Sequence, residues 1–494
     1  MPFPFKSCLG VVLAAFQTTM KTSSTLLLAA MLAVSAFAQS PVPGRAGATP
    51  ALRNLNAAQQ APFDAIDPRL ATAVTAARNS LVSAALSETA TGSDRERAAQ
   101  VLGEAESALA LARADVLARL QGTPERLGAA QRASLVQAAA AGRGGRGGVA
   151  TVAAPRPAGK IPAGDARIRT MGRWDLKPEA ATTVNSGTGI LFRFRGTTLM
   201  GLFQPTTAPS QVYVTIDGGE KVMHTVDKAE IDFAPGGLAA GDHIVELETK
   251  DVSQNVNRWT PPLAAALVFA GFDLGAGEPL APEPALVGRW SPTALRMEFI
   301  GDSITQGVRA ISMATDPTGT DGIRTYSYLT AAAFRASITQ VGFGAQGITH
   351  GGGGGVPAVG ETLYFNFAGS LTDPLARPPD VVVINQGTND GGASAAVFEP
   401  AYFAFLTRVR RAYPQALIAA MRPFNGTQDA AIYAAVQKMR DPRVIYIDTD
   451  GWLELTNSPD YTEQPTGLHP SLSGHAKAAK LLTAALSAAG VQAR

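Results

Sequence analysis

The stretch Leu295-Arg296-Met297-Glu298-Phe299-Ile300-Gly301-Asp302-Ser303-Ile304-Thr305-Gln306-Gly307 runs an apolar segment of strand length straight into a polar turn bounded by glycine. Four further apolar segments of similar length follow, at 338–341, 380–385, 417–421 and 444–448. Helical patterns lie between them, for instance over 328–336 and 430–439. Strands alternating with helices predict a parallel sheet covered on both faces, an α/β/α domain over 285–494. Ligands of such sheets meet the carboxyl ends of the strands, so the strand-exit residues carry the functional reading.

Upstream the period falls to two. Ile190-Leu191-Phe192-Arg193-Phe194-Arg195, Gln211-Val212-Tyr213-Val214-Thr215-Ile216 and His243-Ile244-Val245-Glu246-Leu247 alternate between turns at Asp217-Gly218-Gly219 and Pro235-Gly236-Gly237. Short strands at this spacing predict a β-sandwich over 163–284. Residues 142–162, opening on Gly142-Arg143-Gly144-Gly145-Arg146, read as a Gly/Pro linker. Residues 39–141 are Ala-rich and repeat apolar positions at helical spacing, as in Leu102, Ala105, Leu109, Ala112 and Val116.

The N-terminal stretch is an export signal by its pattern: Met20-Lys21, an apolar run from Leu26 to Val34, then Ala36-Phe37-Ala38 as a small-x-small cleavage site. Signal removal is expected after residue 38, with Met20 a candidate start. The lone Cys8 leaves with it, so no disulfide or thiol chemistry is expected in the mature chain. The rest is expected to be secreted or periplasmic and free of the membrane.

A length of 494 residues predicts two or three domains. With Lys+Arg 42 against Asp+Glu 40, the net charge of +2 provides no footprint for nucleic acid. The expected partner is small or uncharged.

Three strand exits carry chemistry. The first presents Ser303, the strand at 380–385 leads into Gly387-Thr388-Asn389-Asp390, and the loop after the last strand carries Gly467-Leu468-His469-Pro470. A hydroxyl nucleophile, an amide donor for an oxyanion and an imidazole base are the inventory of acyl transfer. Taken singly, Ser303 is an ordinary turn residue, Asn389 an Asx turn and His469 a loop residue at a helix entrance. Their coincidence at strand ends argues for a site.

These motifs resemble the SGNH (GDSL-type) hydrolases over about residues 296–485. The resemblance implies a flavodoxin-like fold with Ser303 as nucleophile and His469 as base. It places the oxyanion between the backbone N–H of Ser303, the backbone N–H of Gly347 and the side-chain amide of Asn389. Gly172-Arg173, Phe192-Arg193-Phe194-Arg195-Gly196-Thr197, Val214-Thr215-Ile216-Asp217-Gly218 and Gly241-Asp242-His243 are similar to the N-terminal jelly-roll of carbohydrate esterase family 2. That family implies removal of acetyl groups from plant polysaccharides or oligosaccharides, without a cofactor.

One position departs from the family pattern. Where relatives usually carry Asp three residues before the histidine, this chain has Thr466. A backbone carbonyl, the Thr466 hydroxyl, water, or a carboxylate from the loop is left to orient His469, with Glu463 and Asp460 the nearest acids. His475 falls inside the following helical pattern and reads as a packing histidine or one that supports the site from behind. Trp452 reads either as a core residue or as a sugar platform. Trp259 and Trp290 lie near domain junctions, where packing is the default.

Gly342-Phe343-Gly344-Ala345-Gln346-Gly347 imitates a dinucleotide fingerprint, but the five glycines 351–355 that follow cannot open the helix it needs. They read as a mobile loop near the site. The five histidines have no ligand-like spacing, so no metal is expected. Two other readings remain open: an esterase or lipase for other acyl groups, and a carbohydrate-binding protein with a decayed site.

Overall fold

The computed structural model describes residues 159–282, 288–314, 316–372, 378–465 and 467–494, together with the helical positions Val74, Ala76 and Ser80. The export signal, the rest of the N-terminal helical segment, most of the linker and Thr466 lie outside the described residues.

Five parallel strands make the C-terminal sheet: β1 (Arg296–Gly301), β2 (Ser337–Gly342), β3 (Val381–Asn385), β4 (Leu417–Met421) and β5 (Val444–Ile447). Their order is β2-β1-β3-β4-β5, the flavodoxin-like arrangement. Every residue of β3 is buried, as a strand covered on both faces requires. Its alternate side chains feed separate cores. Val381 and Val383 join Met297, Phe299 and Ile338 against the helices α1 (Ser303–Gln306), α2 (Tyr326–Ala333) and α5 (Leu472–Ala488). Val382 and Ile384 join Ile300, Ile418 and Ala420 against α3 (Ala395–Ala412) and α4 (Asp429–Met439). Order reverses between β1 and β3, which places the switch-point crevice at the ends of those two strands.

The preceding β region is a sandwich of two six-stranded antiparallel sheets. Gly189–Gly196, Gly241–Asp251 and Ser210–Ile216 are neighbours in one; Ala180–Thr183, Leu267–Asp273 and Met200–Phe203 are neighbours in the other. Their inward residues, among them Phe192, Phe194, Val245, Leu247, Phe269 and Phe272, form one core. The sandwich begins earlier than the composition suggests. Lys160–Pro162, in the stretch read as linker, pairs with Leu267–Asp273.

Sandwich and α/β domain are joined by buried polar contacts. Arg173 Nη2 meets Glu298 Oε1 of β1 at 2.6 Å, and the Tyr413 hydroxyl donates to Glu298 Oε2 at 2.8 Å. Trp259 meets the Phe343 ring edge-on, with centroids 6.0 Å apart, so its role at the junction is packing. The glycine run is stitched on both sides: Gly353 N–H donates to Gly344 O at 2.7 Å and Arg258 N–H to Gly354 O at 3.0 Å. The expected mobile loop is a seam held by hydrogen bonds.

Candidate active site

Ser303 occupies the first turn of α1, directly after β1. Asp302 caps that turn, its Oδ1 accepting the Ile304 N–H at 2.9 Å. Gly301 is required by close approach: a Cβ there would stand 2.0 Å from Thr305 Oγ1 and 3.0 Å from Asn385 O. As a first-turn residue, Ser303 also has a backbone N–H that the helix itself cannot use.

Ser303 Oγ lies 3.0 Å from His469 Nε2, across 166 residues of sequence. Both are buried, at 5% and 7% exposure, so a proton passing between them is shielded from bulk water. His469 Nδ1 lies 2.8 Å from Glu463 Oε1. Glu463 Oε2 accepts the backbone N–H groups of Leu468 and His469, each at 2.8 Å. Arg309 Nη1 closes on Glu463 Oε1 from the loop after α1. Burial opposes charge on Glu463, but the His469 ring, the backbone N–H of His469 and Arg309 outweigh it and hold the carboxyl far below the usual range. Of the two acids left open by the sequence, Glu463 faces the imidazole. Asp460 instead accepts from Lys477 Nζ at 2.7 Å and the Glu454 N–H at 3.0 Å.

Asn389 Nδ2 donates to Gln346 O at 3.0 Å and reaches Asp302 Oδ2 at 3.4 Å. It therefore spans the gap between the residue before Gly347 and the residue before Ser303. Burial pushes the Asp302 carboxyl up to about 6, against the pull of the Ile304 N–H. The Gly347 N–H donates to His350 O at 3.1 Å, so a ligand oxygen must share or replace that bond. The Asp390 carboxylate pins the same loop, accepting Ile348 N–H at 3.0 Å and, from Thr349, N–H at 2.9 Å and Oγ1 at 2.7 Å. No spacing or period in the sequence marks Asp390 or His350 for these contacts.

His475 is fully buried in α5, where its Nδ1 accepts the Tyr326 N–H at 3.1 Å and its ring stacks on Tyr326. Burial lowers it to about 3, so it is a neutral packing residue, as its helical position suggests. Trp452 is half-buried against the core under α2 and α5. Among the described residues there is no group of three or more His, Cys, Asp or Glu side chains able to hold a metal, and no helix long and apolar enough to cross a membrane.

Comparison with known proteins agrees with this architecture. Residues 299–477 match the GDSL-like lipase/acylhydrolase family, and residues 170–284 match the carbohydrate esterase 2 N-terminal domain. No curated protein matches the sequence. Among solved structures, a family two carbohydrate esterase from Clostridium thermocellum in complex with cellohexaose is 25% identical with a TM-score of 0.54, covering 65% of this chain and 98% of that one. The family two carbohydrate esterase from Cellvibrio japonicus is 22% identical at a TM-score of 0.54, covering 66% and 96%. The acetyl xylan esterase from the rumen bacterium Butyrivibrio proteoclasticus is 19% identical at 0.53, covering 66% and 97%. With these two segments matched in that order, the chain is an ester hydrolase that joins a carbohydrate esterase 2 N-terminal domain to a GDSL-like lipase/acylhydrolase domain.

Proposed function

We propose that this protein is a secreted or periplasmic serine esterase that removes O-acetyl groups from plant cell-wall polysaccharides or oligosaccharides. The observation that carries the reading is the continuous chain Ser303 Oγ, His469, Glu463, with steps of 3.0 and 2.8 Å. Ser303 Oγ attacks the acetyl carbonyl as its proton moves to His469 Nε2. The negative charge on the carbonyl oxygen is received by the Ser303 N–H and by Asn389 Nδ2, which gives up its 3.4 Å reach to Asp302 Oδ2, with Gly347 N–H sharing its bond to His350 O. His469 then protonates the departing sugar oxygen, leaving acetyl-Ser303. Water, deprotonated by His469, attacks that ester and releases acetate, and Ser303 recovers its proton. Glu463 stays ionised throughout and stabilises the imidazolium. No cofactor takes part in these steps.

Export is supported by the Lys21, Leu26–Val34 and Ala36-Phe37-Ala38 pattern. The glycan substrate is supported by the domain pair and by the cellohexaose named with one neighbour. The half-buried Trp452, on the loop between β5 and His469, is our candidate platform for a sugar ring.

The test is Ser303→Ala, assayed on p-nitrophenyl acetate and by acetate release from acetylated xylan and glucomannan. Activity should vanish while circular dichroism and Tm stay unchanged. Turnover equal to that of the unsubstituted protein overturns the mechanism. Hydrolysis of long-chain esters with none of the acetylated glycans overturns the substrate class.

A further inference from the structure

We propose that His350, in its imidazolium form, is a positioning residue that locks the two strand-exit segments of the oxyanion wall together. This rests on the acyl-transfer reading of Ser303 and His469. His350 Nε2 lies 3.0 Å from the carbonyl oxygen of Asn389, and its Nδ1 lies 2.9 Å from that of Gly351. Its own carbonyl accepts the Gly347 N–H at 3.1 Å. One residue thus grips the main chain of Asn389 with its ring and the main chain of Gly347 with its backbone.

The ring chemistry sets a condition. Both neighbours of the imidazole are carbonyl oxygens, which only accept, and a neutral imidazole has a single N–H. The imidazolium donates to both. The neutral ring leaves one nitrogen lone pair facing a carbonyl lone pair, which pushes the ring out of place. In accord with this, the Asn389 and Gly351 carbonyls raise the affinity of His350 for its proton. The charged side chain facing it is Asp390, from the exit of β3, which favours the cation further. The glycine run on its other side carries no charge. His350 is exposed, so its proton exchanges freely with solvent.

Two histidines then act in opposite senses. His469 must be neutral to take the serine proton, whereas His350 must be charged to hold the wall. Activity should fall at alkaline pH as His350 loses its proton. The fall should appear in kcat, because the wall meets charge that develops after binding.

The experiment compares kcat and KM for p-nitrophenyl acetate across pH in the full chain, His350→Ala, His350→Gln and Ser303→Ala. His350→Ala should lower the acid-side kcat about tenfold, less than loss of an oxyanion donor itself, with KM little changed and no alkaline fall. His350→Gln, whose amide donates to Asn389 O at any pH, should recover most of that kcat and also lack the fall. A His350→Ala variant with native kcat and an unaltered alkaline limb overturns the proposal, as does a His350→Gln variant that titrates like the native protein. Hydrolysis that survives Ser303→Ala refutes the site reading instead, whereas serine-dependent hydrolysis indifferent to His350 refutes only this inference.

Discussion

Glu463 Oε1 stands 2.8 Å from His469 Nδ1, six residues before it in sequence, and supplies the carboxylate that Thr466 at the third preceding position lacks. The same carboxylate accepts two backbone N–H groups on Oε2, which fixes its plane against the ring. The imidazole is therefore held with Nδ1–H toward Glu463 and the Nε2 lone pair toward Ser303.

Glu463→Gln should be nearly as harmful as losing the carboxylate outright. The N–H groups of Leu468 and His469 demand an acceptor, so the amide oxygen takes the place of Oε2. Its NH2 then faces His469 Nδ1 and forces the wrong tautomer. The kcat should fall by about 10²- to 10⁴-fold with KM little changed. Nitrogen NMR of the ring should show the proton moved to Nε2. A kcat within twofold of the native value sinks this role.

A second expectation concerns acid stability. His475 is lowered to about 3 by burial, so the unfolded chain binds its proton first. Its contribution is fully present above about pH 6.5 and drains away as pH falls toward 3. Glu463, also depressed in the fold, contributes above about pH 4.3 and is lost only below it. Between pH 6.5 and 4.5 His475 adds to the loss from His224, also lowered by burial, and works against Asp251 and Asp302, whose raised carboxyls take up protons in the fold. His475→Asn keeps an acceptor for the Tyr326 N–H without titrating, so urea midpoints measured at pH 7.5, 5.5 and 4.5 should fall less steeply than in the native chain. An equally steep decline in the variant assigns the loss elsewhere.

How much of this was legible beforehand follows from which forces are local. The β3 run announces itself because both faces are covered and no polar residue interrupts Val381–Ile384. Ser303, Asn389 and His469 stand at strand exits, and motif spacing finds them. Glu463 and Asp460 are equal candidates on paper, since an irregular loop has no period to say which acid turns inward. The strand Lys160–Pro162 is hidden because its partner, Leu267–Asp273, lies more than a hundred residues away. The glycine run looks like slack chain by composition. In the fold, absent side chains permit close contact: a Cβ on Gly354 would stand 2.6 Å from Val256 O of the sandwich.

Trp452 separates two roles by two measurements. As a platform, Trp452→Ala should raise KM for acetylated oligosaccharides about three- to tenfold, the worth of one stacked aromatic contact. The kcat on p-nitrophenyl acetate, which has no sugar ring, should hold. A fall in Tm with KM unchanged would assign the ring to the core it touches under α2 and α5.

Arg173 and Glu298 connect sandwich and sheet through a buried pair, 4% and 5% exposed. Arg173 Nη1 also donates to Thr362 O at 2.9 Å. Removing one charge from such a pair leaves the other buried and uncompensated, at a cost of about 3–5 kcal/mol. Arg173→Met should therefore destabilise the fold by that amount in urea titrations. Arg173→Met with Glu298→Leu removes both charges, and should recover a large part of the loss although it leaves the Tyr413 hydroxyl without Glu298 Oε2. If the double variant is instead as unstable as Arg173→Met and Glu298→Leu summed, the coupling between the two residues is absent and the other contacts between the domains carry the junction.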